Sequence, residues 1–188
     1  MTGVQIVPVT AERWDDFARL FGKKGAYRGC WCMWWRQTGV EHERGRDGGN
    51  RAAMRRLVRA NRVPGLLAYA DDEPVGWISV APRGEFGRIE RSRVIGPIDE
   101  EPVWSIVCFY LRPDQRGRGI GTALLEAAAR HARDGGARLV EAYPIDPQGK
   151  EPSGVELFTG PLRMFERAGF HEVARRSPRR PIVRREVR

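Results

Sequence analysis

A chain of 188 residues and 21.3 kDa fits one compact core, long enough to bury roughly two-thirds of its unfolded surface, so a single domain over residues 1–188 is expected. No apolar run approaches the ~20 residues of a membrane span, and residues 1–10 contain neither a basic leader nor a cleavable apolar stretch, which points to the cytoplasm and away from membranes. The net charge of +9 raises the question of a polyanionic partner, but lysine occurs only at Lys23, Lys24 and Lys150, and many arginines sit among acids, as in Glu41-His42-Glu43-Arg44, so nucleic acid is not indicated.

The three cysteines, Cys30, Cys32 and Cys108, are an odd and small number, which argues for reduced thiols rather than a disulfide framework. Cys30 and Cys32 have no second Cys or His pair at ligand spacing, so no metal is expected.

In chain order, residues 4–9 are β-rich and predict a first strand. Thr10 is placed to cap a helix whose Trp14, Phe17, Ala18 and Phe21 fall on one face. Residues 22–49 read as irregular, with the aromatic cluster Cys30-Trp31-Cys32-Met33-Trp34-Trp35-Arg36 at their centre. Asn50 is placed to cap a second helix with Met54, Leu57 and Val58 on one side. Residues 65–70 and 74–80 form a predicted hairpin across Asp71-Asp72-Glu73, and residues 82–101 read as a polar surface excursion.

Residues 103–111, rich in β-branched and aromatic side chains, give the clearest strand. After the loop at 112–121, a helix carries Ile120, Ala123, Leu124, Ala127, Ala128 and His131 on one stripe and stops at Gly135-Gly136. Residues 138–143 predict a strand, Pro161 opens a short helix to Ala168, and residues 170–175 and 182–187 read as terminal strands.

The motif that carries chemistry is Arg116-x-x-Gly119-x-Gly121 between the clearest strand and this helix. Glycines let the backbone approach an anion, successive N–H groups converge on it, and the helix dipole adds positive charge. Chance alone gives about 0.4 such matches in a chain with this much arginine and glycine, so the flanking elements carry the argument. A mononucleotide P-loop is excluded because no lysine lies near. In a dinucleotide loop Thr122 would stand at the third glycine position, although Glu141 falls near the place of a ribose-binding acid.

With strand, glycine loop, helix, strand and a short helix ending at Gly169-Phe170, the chain resembles the GNAT N-acetyltransferases, whose R/Q-x-x-G-x-G/A loop binds acetyl-CoA. The resemblance is strongest over residues 103–170. It implies an α/β (α+β) fold with a central mixed, twisted sheet of six to seven strands flanked by about four helices. It also implies transfer of an acetyl group from acetyl-CoA to a primary amine by direct attack in a ternary complex. Backbone groups of Phe109, Tyr110 and Leu111 would then hold pantetheine, and Arg116, Gly117, Arg118, Gly119, Ile120, Gly121 and Thr122 the pyrophosphate.

Two departures from the family pattern stand out. Ser105 and Phe165 occupy the positions at which many relatives carry a glutamate base and a tyrosine acid, which leaves Glu141 and Tyr143, with Asp146 and Tyr110 behind them, as catalytic candidates. Each is more readily read as packing or surface charge, and water-mediated proton loss remains open. Trp31, Trp34 and Trp35 either wall the acceptor site or cover the core. A non-catalytic CoA-binding regulatory module and an arginine-rich nucleic-acid-associated protein are the alternatives, the acceptor is unspecified, and a homodimer is open.

Overall fold

The computed structural model describes residues 3–149, 154 and 156–188. Its seven strands are β1 (Gln5–Pro8), β2 (Gly65–Ala70), β3 (Glu73–Pro82), β4 (Trp104–Leu111), β5 (Leu139–Ala142), β6 (His171–Arg175) and β7 (Pro181–Glu186). They form one mixed sheet in the order β1-β2-β3-β4-β5-β7-β6. Six helices accompany it: α1 (Trp14–Phe21), α2 (Gly39–Arg44), α3 (Gly49–Arg59), α4 (Gly87–Glu90), α5 (Ile120–Asp134) and α6 (Leu162–Arg167). Among the described residues no helix is long and apolar enough to cross a membrane.

The period-two alternation of the strands sorts side chains onto two faces. On one face Leu66 and Ile78 pack with Leu124, Leu125 and Ala128 of α5. On the other, Leu67 and Trp77 meet Phe17 and Phe21 of α1 and Met54 and Val58 of α3. The β2–β3 hairpin turns through Asp71 and Asp72, both at positive φ (50° and 61°), the pair of left-handed residues that a two-residue turn requires.

Three local expectations are corrected. Thr10 makes no side-chain cap, and a single 3-10 turn at Ala11–Arg13 leads into α1 instead. Asn50 lies inside α3, whose N-cap is Gly48; its side-chain amide donates to Gly29 O at 2.9 Å and His42 O at 3.0 Å. It therefore ties the loop at 22–49 to α3. We expect Asn50→Ala to cost about 1–3 kcal/mol, because a buried and a part-buried carbonyl lose their donor, and urea unfolding will read that loss.

The excursion between β3 and β4 is more than a polar surface loop. It buries Phe86, Ile89 and Ile95 against Val107, Tyr143 and Ile182, a third cluster beside the sheet.

Candidate active site

The site begins where the central strands part. β4 and β5 run parallel for only three rungs, Trp104↔Val140, Ser105↔Glu141 and Ile106↔Ala142. Beyond Ile106, β4 keeps its antiparallel partner β3, with Trp77↔Tyr110 and Gly76↔Leu111, but among the described residues has no strand partner on the β5 side. A register shift makes Val107 an extra residue opposite β3, a bulge that bends β4 at the parting point. The Val107 carbonyl accepts a hydrogen bond from Trp35 Nε1 at 2.9 Å. Phe109, Tyr110 and Leu111 beyond it present half-buried side chains and an unpaired strand edge.

That edge runs into the glycine loop. Arg112 pairs with Asp114 at 2.8 Å, one 3-10 turn follows at Pro113–Gln115, and Gly117 and Gly119 adopt φ of +76° and +79°. A Cβ at either glycine would meet nothing within 4 Å, so backbone conformation, not crowding, calls for glycine there. Ile120 plugs the core at 3% exposure and anchors the start of α5. The first-turn N–H groups of α5, from Ile120 to Thr122, have no intrahelical acceptor, and the exposed Arg116 and Arg118 precede them in the loop.

The opening leads into a cavity of about 1160 Å³. Phe109, Tyr110, Leu111 and Arg116 form one side and the segment 25–46 with residues 88–95 another. The structure separates the three tryptophans. Trp34 and Trp35 line the cavity, whereas Trp31 is buried in the core, stacked at 5.8 Å on Phe21 and at 6.4 Å on Trp14. Trp31 and Cys32 both have positive φ (47° and 59°), a tight turn of non-glycine residues that no local pattern announces. Phe165 is fully buried, edge-on to Phe109 and Phe170 at 5.9 and 5.3 Å.

Cys108 is half-buried and, with Cys30 and Cys32, lines the cavity. The Cys32 sulfur accepts from Trp77 Nε1 at 3.2 Å. A hydrogen bond from Cys108, chiefly, lowers the Cys32 pKa against the effect of burial, while the same contact and burial push Cys108 well up. Among the described residues no three His, Cys, Asp or Glu side chains are grouped to hold a metal.

Glu141 and Tyr143 meet in one buried network. Tyr143 Oη donates to Glu141 Oε1 at 2.6 Å and lies 3.0 Å from Ser105 Oγ. Arg184 Nε donates to Glu141 Oε2 at 2.8 Å and spends its two Nη groups on Asp99, at 2.6 and 2.8 Å. Arg83 stands 3.7 Å from the same carboxylate. Glu141 is fully buried and does not reach the cavity wall; Tyr143, 1% exposed, does. Burial first, then the Glu141 charge, pushes the Tyr143 pKa well above the ordinary tyrosine value, so its hydroxyl keeps its proton. Asp146 is drawn off to Arg175, 2.7 Å away, and Tyr110 lines the cavity.

Arg184, Asp99 and Arg83 come from β7 and from the excursion between β3 and β4, and their 43- and 85-residue separations from their partners hide them from any local reading. Arg184→Met should cost about 3–5 kcal/mol, because it strands a buried carboxylate. Thermal unfolding checks this, and the double variant Arg184→Met/Glu141→Met should recover most of the loss.

Comparison with known proteins fits this geometry. The family model described as Acetyltransferase (GNAT) family matches residues 24–170. A protein of Methanocaldococcus jannaschii named as an uncharacterized N-acetyltransferase is 27% identical over 173 residues, 87% of this chain and 59% of that one. The chain thus spans less than two-thirds of the length of that curated relative. Among solved structures, the PaiA N-acetyltransferase of Thermoplasma acidophilum in complex with coenzyme A aligns over 98% of this chain and 99% of its own, at TM-score 0.55 and 14% identity. A putative GNAT acetyltransferase of Desulfovibrio desulfuricans aligns over 99% and 100%, at TM-score 0.53 and 20% identity. With the family model covering most of its length, the chain belongs to the GNAT acetyltransferase family.

Proposed function

We infer that the protein is an N-acetyltransferase that moves an acetyl group from acetyl-CoA to a primary amine in a ternary complex. The observation that carries this reading is the parting of β4 from β5 directly beside the glycine loop, with the cavity behind it. The fit to acetyl-CoA is chemical. An unpaired strand edge at Phe109, Tyr110 and Leu111 offers the amide partners that pantetheine needs. Gly117, Gly119, Gly121 and the first turn of α5 offer N–H groups for a diphosphate, with open space at Gly117 and Gly119 and with Arg116 and Arg118 alongside. The Thermoplasma neighbour, which shares the fold, is itself in complex with coenzyme A.

In this reading the neutral amine attacks the thioester carbonyl, the C–N bond forms, and collapse of the tetrahedral intermediate breaks the C–S bond. The amine must lose one proton, and the departing sulfur must gain one. Tyr143 is a hydroxyl in the cavity wall that holds its proton; it supplies that proton to the sulfur and regains one from water. Glu141 acts through Tyr143, as a positioning residue: its carboxylate is occupied by Arg184 and Tyr143 and does not face the cavity. Ser105, the other contact of the Tyr143 hydroxyl, completes that placement. No side chain is needed as base where the amine loses its proton to water, and holding the two reactants together supplies much of the rate.

The direct test is thiol release from acetyl-CoA against a panel of amines, with calorimetric titration of acetyl-CoA beside it. Binding with thiol release from at least one amine is expected. Binding without release across the panel would leave a non-catalytic CoA-binding module.

A further inference from the structure

The cavity lining is cationic, and beyond Arg116 in a way that the acetyl-transfer step does not use. Arg28, Arg46, Arg88, Arg91, Arg116 and Arg180 line the cavity, and no carboxylate among the described residues does. The chain has 33 basic and 24 acidic residues, so a wall drawn in that proportion would carry about four carboxylates beside six arginines. Arg116 belongs to the glycine loop. The others come from the segment after α1, from α4 and the chain after it, and from the turn between β6 and β7.

The donors on this wall are short of acceptors. Arg88 lies over the Trp34 ring at 3.8 Å and donates Nε to the Trp34 carbonyl at 2.7 Å, which leaves its buried Nη2 without a partner. Burial first, then the neighbouring Arg91, lowers the Arg88 pKa, with only Cys30 opposing. His42, 4% exposed, stands edge-on to Trp34 at 5.2 Å, and neither of its ring nitrogens has a partner. Burial, Arg46 and Arg88 hold His42 below the ordinary imidazole value. Arg46 pairs with Glu43 at 2.8 Å through Nη2, while its Nε is buried and unpartnered.

Buried, unpartnered nitrogens on half-buried Arg46 and Arg88 and on buried His42, with exposed Arg91 beside them, line one aromatic hollow and describe a seat for an anion. We propose that the acceptor amine carries an anionic group of its own, a carboxylate or a phosphate, which sits among Arg46, Arg88, Arg91 and His42 beside the Trp34 ring. This rests on the N-acetyltransferase reading. A guanidinium matches the planar carboxylate and the phosphate oxygens equally well, and the same field repels a polycation. It also disfavours the ammonium form of the bound acceptor, which must become a free amine before it attacks.

The test is thiol release at saturating acetyl-CoA with matched acceptors: phenylalanine and its amide, β-alanine and its amide, phosphoethanolamine and ethanolamine, and spermidine. The anionic member is expected to win in kcat/KM by about tenfold or more in at least one pair, with spermidine poor. The carboxylate and phosphate pairs identify the anion. Arg88→Gln and Arg91→Gln should each bring that preference most of the way to parity, through acceptor KM, with the KM for acetyl-CoA held within about twofold.

Equal or better use of the neutral members, or of spermidine, overturns the proposal. A rise in the acetyl-CoA KM with acceptor preference unchanged overturns it too, because the cations would then serve the nucleotide. If acetyl-CoA binds and no amine releases thiol, the N-acetyltransferase reading fails separately. Calorimetric titration of N-acetylphenylalanine and of phosphoethanolamine into CoA-loaded protein then decides the anion seat: binding lost in Arg88→Gln sustains it, and no binding to the wild type overturns it.

Discussion

Gly121→Glu will weaken acetyl-CoA binding by about 100-fold or more while the protein stays folded, since placing like charges together costs several kcal/mol and each ~1.4 kcal/mol is tenfold. Gly121 lies in the first turn of α5, where no left-handed conformation is demanded. A Cβ there would come within 3.2 Å of the Met164 sulfur and 3.7 Å of Leu111, and the flexible methionine can give way. A carboxylate at a helix N-terminus is also favourable to the helix. The fold therefore tolerates the change, and the diphosphate, meeting a fixed negative charge, does not. Gly84→Glu, where a Cβ meets nothing within 4 Å, makes the same change of net charge outside the cavity wall and serves as control. Calorimetry with acetyl-CoA and a thermal melt on both variants separate the outcomes. Wild-type affinity in a folded Gly121→Glu would remove the loop from CoA binding.

The features that sequence conveys here are those whose physics is local. The β2–β3 hairpin, α5 with its stripe of Leu124 and Ala128, and the glycine loop each need only neighbours within a few residues, and the structure places them where the pattern puts them. α2 was within the same reach. Thr38 and Glu41 form a capping box, with Thr38 N–H donating to Glu41 Oε2 at 2.8 Å, and the T-x-x-E spacing is its sequence signature. The segment 22–49 masked it, because its glycines and tryptophans suggest no period. What lay beyond reach is non-local. The parting of β4 and β5 depends on which residues fail to pair, and α4 with Phe86 and Ile89 is buried only because β7 and Tyr143 cover it.

The cavity wall follows the same division. Trp31, Trp34 and Trp35 lie within five residues of sequence, yet the left-handed turn at Trp31 and Cys32 sends the first into the core and leaves the others at the cavity. Trp35 then holds the loop to the sheet through the Val107 carbonyl, at the bulge where β4 bends. One backbone irregularity thus anchors the loop at 22–49 and begins the parting of β4 from β5.

Tyr143→Phe should lower kcat by ~10² to 10⁴ with the Kd for acetyl-CoA unchanged, the range for loss of a general acid. The hydroxyl lies at the last rungs before β4 and β5 part, beside Ser105 and hydrogen-bonded to Glu141. Its folded pKa is raised well above the ordinary value by burial and then by the Glu141 charge, so the acid form persists as pH rises and is lost only above that ordinary value. In the wild type, kcat/KM should therefore rise with pH as the acceptor loses its own proton, with no descending limb from Tyr143 below about pH 10. Tyr143→Phe should keep that rising limb at a lower plateau. Glu141→Gln retains an acceptor for the hydroxyl but not the charge, so it should fall between the two, as should Ser105→Ala, and Phe165→Leu should change packing rather than proton transfer. A thermal melt guards against simple unfolding, because Tyr143→Phe also takes a donor from a buried carboxylate. If folded Tyr143→Phe keeps the wild-type rate and pH profile, the thiolate departs unaided and water carries both protons; a collapse confined to Ser105→Ala with acetyl-CoA binding intact would move the proton relay to β4.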